Sequence, residues 1–119
     1  MARIILMTRE NLDKVRNGTK TETRRISPRW MWLKIGDILD VRVSRGVKEN
    51  LYVKVLDRRR QPLQDIKDRE IVAEGFDPES PGSAWGWWIN LWDSRHREPT
   101  ETWEANPDVT VIRFERLAQ

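Results

Sequence analysis

A chain of 119 residues with 22 Lys and Arg, 19 Asp and Glu, no cysteine and one histidine is long enough for one domain, spanning 1–119, with a real core. Folding buries about 65% of the unfolded surface of a chain this size. The lack of cysteine excludes disulfides, thiolate metal centres and a cysteine nucleophile, and the single His96 excludes a multi-histidine metal site.

The formal charge of +3 is unevenly spread: residues 1–35 carry nine basic and three acidic side chains, residues 61–119 six and twelve. That asymmetry points to a nucleotide or polyanion on the basic half. The longest apolar runs, Ile4–Met7 and Trp30–Leu33, are too short to span a bilayer, and the N-terminus lacks the pattern of a secretory signal. A cytoplasmic protein with no membrane contact and no obligatory protein partner is expected.

The apolar run from Ala2 to Met7 reads as a buried strand. Thr8 as N-cap and Gly18 beyond the C-terminus bracket a helix over about residues 9–17, with Leu12 and Val15 facing the core. Thr19 to Ile26 is polar and extended, ended by Pro28. Ile35-Gly36-Asp37 turns the chain into a strand over Ile38–Val43, with Leu39, Val41 and Val43 on one face. A second alternating strand, Leu51–Leu56, follows a Ser44–Asn50 turn in which Gly46 can take positive φ. Arg58-Arg59-Arg60 reads as a solvated turn.

Leu63 and Ile66 lead to a short helix near Asp68–Glu74, stopped by Gly75, and Asp77–Gly82 is a Pro-rich loop. A helix from Ser83 to Arg95 places Ala84, Trp85, Trp88, Leu91 and Trp92 on one face, and Val109–Leu117 closes the chain as a strand. Strands mixed with a few helices, without a βαβ repeat, predict an α+β fold with a small, strongly curved or closed sheet.

The stretch Gly18-Thr19-Lys20-Thr21-Glu22-Thr23-Arg24-Arg25 is the densest in possible chemistry. In an extended segment Thr21, Thr23 and Arg25 share one face and Glu22 and Arg24 the other. A Thr hydroxyl becomes a nucleophile only when a base removes its proton, and a lysine of lowered pKa, here Lys20 beside Arg25, can do so. The same pattern also suits a polar edge strand. Glu74 stands at a helix C-terminus, where its charge opposes the helix dipole, so it is a second candidate. Of seven Trp, Trp85, Trp88 and Trp92 are expected in the core. Trp30, Trp32 and Trp87 are free to stack on a base. His96 reads as a solvated helix end. No metal-ligand spacing occurs, so neither a metal nor another cofactor is expected.

The order Gly18-x-Lys20-Thr21-x-Thr23-x-Arg25, Ile35-Gly36-Asp37, Leu63-x-Asp65-Ile66, Glu74-Gly75-Phe76 and Trp103-x-x-Asn106-Pro107-x-Val109-x-Val111-Ile112-x-Phe114 resembles ASCH domains. These are PUA-like β-barrels named for activating signal cointegrator homology, and the likeness spans nearly the whole chain. Lys20, Thr23 and Arg25 fit the Lys-x-x-Thr-x-Arg motif of the bacterial N4-acetylcytidine amidohydrolases within that group, and Glu74 fits their distant glutamate. The resemblance implies deacylation of N4-acylated cytidine or cytosine without a metal. Thr23 would be the nucleophile, Lys20 its base, Glu74 the proton shuttle, and Arg25 a substrate-positioning or charge-balancing group. It equally admits an RNA-binding or modified-nucleotide-binding module, or a ribonuclease. Two departures, the Pro28–Leu33 segment and the Trp-rich helix over residues 83–95, would reshape the acyl pocket and place Trp30, Trp32 and Trp87 at the substrate.

Overall fold

The computed structural model describes residues 2–118. Strand β1 (Arg3–Leu6) leads to helix α1 (Arg9–Arg16), then to β2 (Glu22–Arg25). Thr8 caps α1 through its hydroxyl, which accepts from the Asn11 N–H at 3.3 Å, and Gly18 follows the helix at φ +85°. A 3-10 turn (Pro28–Trp32) capped by Ser27 precedes β3 (Ile38–Arg42) and the long β4 (Tyr52–Pro62). Helices α2 (Asp68–Ala73) and α3 (Ala84–Arg95) and strand β5 (Asp108–Arg116) complete the chain.

The strands form one mixed sheet in the order β1-β3-β4-β5-β2, parallel between β1 and β3 and antiparallel elsewhere. β5 alternates apolar side chains between the two faces. Ile112 and Phe114 join Ile5, Leu39, Val41, Val53 and α1's Leu12 and Val15 in one core. Val109 and Val111 join Ile71, Phe76, Trp88 and Trp92 beneath α2 and α3 in the other. With helices on both faces, even the short polar strand β2 is buried at Glu22, Thr23 and Arg24.

Three expectations need correction. The sheet is an open ladder and not a closed barrel. Among the described residues β1 and β2 are its two edges, each of four residues. They are joined by a side chain, Arg25 NH2 donating to the Leu6 carbonyl at 2.9 Å, and not by a backbone ladder. Arg58-Arg59-Arg60 is not a turn but the continuation of β4, paired with Ile112, Val111 and Thr110 of β5. The partner strand is nine residues long, so pairing continues past the irregularity at Val55/Asp57. The arginines are anchored by the Leu33 carbonyl, the Glu70 carboxylate and Thr110 Oγ1 respectively. In the β3–β4 connection the positive φ falls on Asn50 (54°) and not on Gly46.

Candidate active site

A cleft of about 470 Å³ opens beside the unclosed edge of the sheet, lined by the end of β1 (Leu6, Met7), by Thr23, Arg24 and Arg25 of β2, and by Lys20, Glu74 and the C-terminal half of α3. Thr23 and Arg24 point to opposite faces of β2. Both line the cleft because β2 is an edge strand whose free side the cleft follows.

Lys20 is placed by a turn that docks on two helices. Its own N–H donates to the Lys14 carbonyl of α1 at 3.0 Å, and the next residue's, Thr21, to the Ala73 carbonyl of α2 at 2.7 Å. Glu74 terminates α2, and Gly75 reverses the chain at φ +117°. Glycine suits that reversal because φ +117° is strained for any residue with a side chain, and a Cβ there would also press on Lys14 Cδ at 3.0 Å. Lys20 Nζ therefore meets Glu74 twice, at Oε1 (2.7 Å) and at the main-chain carbonyl (3.0 Å), with both residues buried.

Burial is the main influence on the Lys20 ammonium and lowers its pKa. The Glu74 carboxylate opposes that shift, and the charges of Arg25 and Arg24 add to it.

The second oxygen of Glu74 accepts from Arg24 NH1 at 2.9 Å, and the same nitrogen reaches Glu22 Oε1 at 3.0 Å. Arg24 NH2 lies 3.3 Å from Glu70 Oε2, outside good hydrogen-bond alignment, and Glu70 is bridged onward to Arg59. Three carboxylates are thus held by Lys20, Arg24 and Arg59. Burial pushes the Glu22 carboxyl up despite Arg24, whereas Glu70, which burial would also raise, is held down by the Lys67 N–H and by Arg24 and Arg59.

The Thr23 hydroxyl is buried in the cleft wall and lies 3.3 Å from Arg25 Nε. Among the described residues it makes no direct hydrogen bond to Lys20 or Glu74, whose polar atoms bond each other and Arg24. Burial lowers the Arg25 pKa to about 10, with Glu74 opposing and Arg95 reinforcing the shift, so the guanidinium remains charged at neutral pH.

Lys20, Thr23, Arg25 and Glu74, predicted from the sequence, line one cleft. The three tryptophans predicted beside them do not. Trp30 packs on the core from outside, its ring 5.8 Å from the Arg25 Cζ and 5.1 Å from that of Arg3. Trp32 is 72% exposed on the 3-10 turn. Trp87 packs on Phe76 (5.4 Å between centroids), Trp88 and the Lys14 ammonium. The aromatic wall consists instead of Trp88 and Trp92, with His96 stacked on Trp92 at 3.7 Å and 12° and its Nδ1 3.0 Å from the Trp92 carbonyl. Trp88 Nε1 is buried with no acceptor among the described residues.

Sequence reasoning missed Arg24, read as pointing to the other face. It also missed the stack of His96, read as a solvated cap. One signal was present: Glu70 and Glu74 are four apart, which puts two carboxylates on one side of a short helix. Among the described residues no three His, Cys, Asp or Glu side chains gather to hold a metal, and no helix is long and apolar enough to cross a membrane.

No family model and no curated protein matches the sequence. Solved structures do. The hypothetical protein PH0355 superposes with a TM-score of 0.70 at 20% identity, over 98% of this chain and 100% of its own. An ASCH domain from Lactobacillus crispatus does so with a TM-score of 0.69 at 11% identity, over 96% and 78%. A protein from Enterococcus faecalis gives 0.66 at 14% identity, over 98% and 80%. The chain therefore has the fold that these proteins share, the ASCH domain among them.

Proposed function

We propose that this protein is an amidohydrolase that removes the acyl group from N4-acylated cytidine or cytosine, using Thr23, Lys20 and Glu74 and no metal. The reading is carried by the buried Lys20–Glu74 pair, 2.7 Å apart, in the cleft that Thr23 also lines. Burial lowers the Lys20 pKa, and Glu74 touches the amine as the partner with which it can exchange a proton. A Lys and Glu pair of this kind can move one proton between two basic sites in a cleft that also holds a hydroxyl, which is what activating a threonine requires.

In the first half-reaction Thr23 Oγ bonds to the acyl carbon while its proton passes to Lys20 Nζ. Collapse of the tetrahedral intermediate breaks the bond from carbon to N4, and the proton moves from the Lys20–Glu74 pair to the leaving amine. A water then attacks the Thr23 ester, gives its proton to the same pair and releases a carboxylic acid, and Thr23 recovers its hydrogen. Arg25, already at Thr23 Oγ1, stands where it can stabilise charge on the carbonyl oxygen. The volume of about 470 Å³ accommodates a nucleoside. The His96–Trp92 stack, which lines the cleft, offers a flat wall for the ring.

The test is loss of the N-acyl absorbance of N4-acetylcytidine, without added metal, by the wild type, Thr23→Ala, Thr23→Ser and Lys20→Met, with folding checked by circular dichroism. Turnover lowered by about 10³-fold or more in Thr23→Ala and partly kept in Thr23→Ser is expected. Turnover by Thr23→Ala at the wild-type rate would rule out Thr23 as nucleophile. No turnover by the wild type on acetyl or bulkier acyl substrates would favour a nucleotide-binding module.

A further inference from the structure

We propose that the acyl group removed in this cleft is a dicarboxylic one, whose free carboxylate pairs with Arg95 beside Arg25. The inference rests on the deacylase reading and names the substrate class within it. Water then splits N4-succinylcytidine, or a homologue, into cytidine and the dicarboxylate. The bond from the acyl carbon to N4 breaks, the carbon gains the oxygen of water and N4 gains a hydrogen.

The charge of the cleft is unbalanced. Lys20, Arg24, Arg25 and Arg95 border it, and among the described residues Glu74 is the sole carboxylate that does. Both Glu74 oxygens are taken, Oε1 by Lys20 and Oε2 by Arg24. Arg24 is balanced further by Glu22 and Glu70, which do not line the cleft. The charges of Arg25 and Arg95 are left for whatever fills the space.

Arginines without an ion pair are common in this chain. These two differ in bordering the cleft that holds Thr23 and in acting on each other. Burial lowers the Arg25 pKa to about 10, Glu74 opposes the shift and the charge of Arg95 adds to it. A ligand that fills the cleft strips water from both guanidinium groups. A neutral one leaves their charges uncompensated, whereas a carboxylate offsets that loss.

The position of Arg25 fixes which part of the substrate meets these charges. Thr23 Oγ attacks the acyl carbon, so a group touching Thr23 stands beside the acyl chain. Arg25 is that group, with Nε 3.3 Å from Thr23 Oγ1 and NH2 2.9 Å from the Leu6 carbonyl. Arg95 reaches the cleft from the C-terminal end of α3, and its NH2 donates to Thr8 Oγ1 at 3.2 Å. That hydroxyl already accepts from the Asn11 N–H. A guanidinium bonds a carboxylate more strongly than a shared neutral hydroxyl, so Arg95 can exchange Thr8 for the ligand. The methylenes between the two carboxyl carbons suit the apolar part of the wall, Leu6, Met7, Val43 and Leu91.

The experiment compares kcat/KM, by release of cytidine, for N4-succinylcytidine and its terminal amide, which matches it in size and carries no charge. N4-acetylcytidine and its 5′-monophosphate are run beside them. The wild type should prefer the succinyl substrate to the amide by about 10-fold or more, the worth of one charge-assisted contact. Arg95→Met should cut that ratio to about 2- to 3-fold, Arg95→Lys should keep most of it, and Arg95→Glu should reverse it. Arg95 is exposed, so folding is not at stake. Raising salt from about 50 to about 500 mM should shrink the wild-type ratio by screening. Binding is read separately with Thr23→Ala, from quenching of Trp fluorescence by the same two ligands, and should show the same preference.

Equal rates for the succinyl and amide substrates, a preference that Arg95→Met leaves intact, or a gain from the 5′-phosphate in place of the acyl carboxylate would overturn the inference. Hydrolysis of N4-acetylcytidine with equal binding of the two ligands leaves the deacylase standing and removes the carboxylate site. If no N4-acylcytidine is hydrolysed while the charged ligand binds about 10-fold more tightly through Arg95, the site stands and the deacylase reading falls. Neither hydrolysis nor a binding preference would remove both.

Discussion

Replacing Arg24 with methionine tests the electrostatic account of the site. The guanidinium is fully buried, with NH1 2.9 Å from Glu74 Oε2 and 3.0 Å from Glu22 Oε1 and NH2 3.3 Å from Glu70 Oε2. Without it Glu74 keeps Lys20 and Glu70 keeps Arg59, but Glu22 loses its only ion-pair partner among the described residues. Removing one partner of a buried pair costs about 3–5 kcal/mol, because the other charge stays behind unpaired. A domain of this length has a stability of about 6–18 kcal/mol, so the variant still folds. At about 4 °C per kcal/mol its Tm falls by about 12–20 °C.

The cost must also depend on pH, with a definite sign. Burial already raises the Glu22 carboxyl above its ordinary 4.5. A carboxyl raised in the folded state adds stability below its unfolded pKa and loses it as pH climbs through the folded one. Arg24 opposes that rise, so its removal lifts the folded pKa further. The difference between wild type and variant should therefore grow from about pH 5 to about pH 7. Urea unfolding followed by Trp fluorescence at both values reads it, and adding Glu22→Gln to Arg24→Met should recover part of the loss at the higher pH. A cost under about 1 kcal/mol at about pH 7, or the same cost at both, would refute this account.

Three further outcomes follow from the same contacts. With Lys20 as base, kcat/KM on N4-acetylcytidine should rise with pH and level off below the ordinary lysine value of 10.5, since burial lowers its pKa; a rate falling over that range would make Lys20 an acid. Gly75→Ala should lower stability by about 1–3 kcal/mol by calorimetry, because its φ of +117° is strained for alanine and the new Cβ meets Lys14 Cδ at 3.0 Å. It should also slow turnover, since the same turn aims Glu74 at Lys20; unaltered stability would contradict the strain argument. Leu39→Ala, at a core position with 0% exposure, should cost about 2–5 kcal/mol in denaturant without changing KM, and a raised KM would mean that the core cluster shapes the cleft.

The local pattern of the chain determined most of its elements. Thr8 and Ser83 as caps, Gly18 and Gly75 as stops, and the alternation in β3 and β5 are short-range signals, set by backbone geometry within a few residues. Lys20, Thr23, Arg25 and Glu74 were legible too, by their spacing and by likeness to a motif.

What the sequence could not carry is whatever depends on partners distant in the chain. The length of β4 was settled by β5 across the ladder, and the sheet stays open because a cleft and one guanidinium occupy the space between its edge strands. Parity along β2 assigns Arg24 to a solvated face, yet α2 covers that face and supplies Glu70 and Glu74, 46 and 50 residues away in the chain. The tryptophans show the same limit. Helical spacing placed Trp85, Trp88 and Trp92 in the core, yet Trp85 is exposed with its indole N–H on Asp68, and only packing against β2 and the Glu74 turn made the Trp88 and Trp92 part of the core the wall of a cleft. A charged side chain's surroundings follow from which elements desolvate it, and tertiary packing alone decides that.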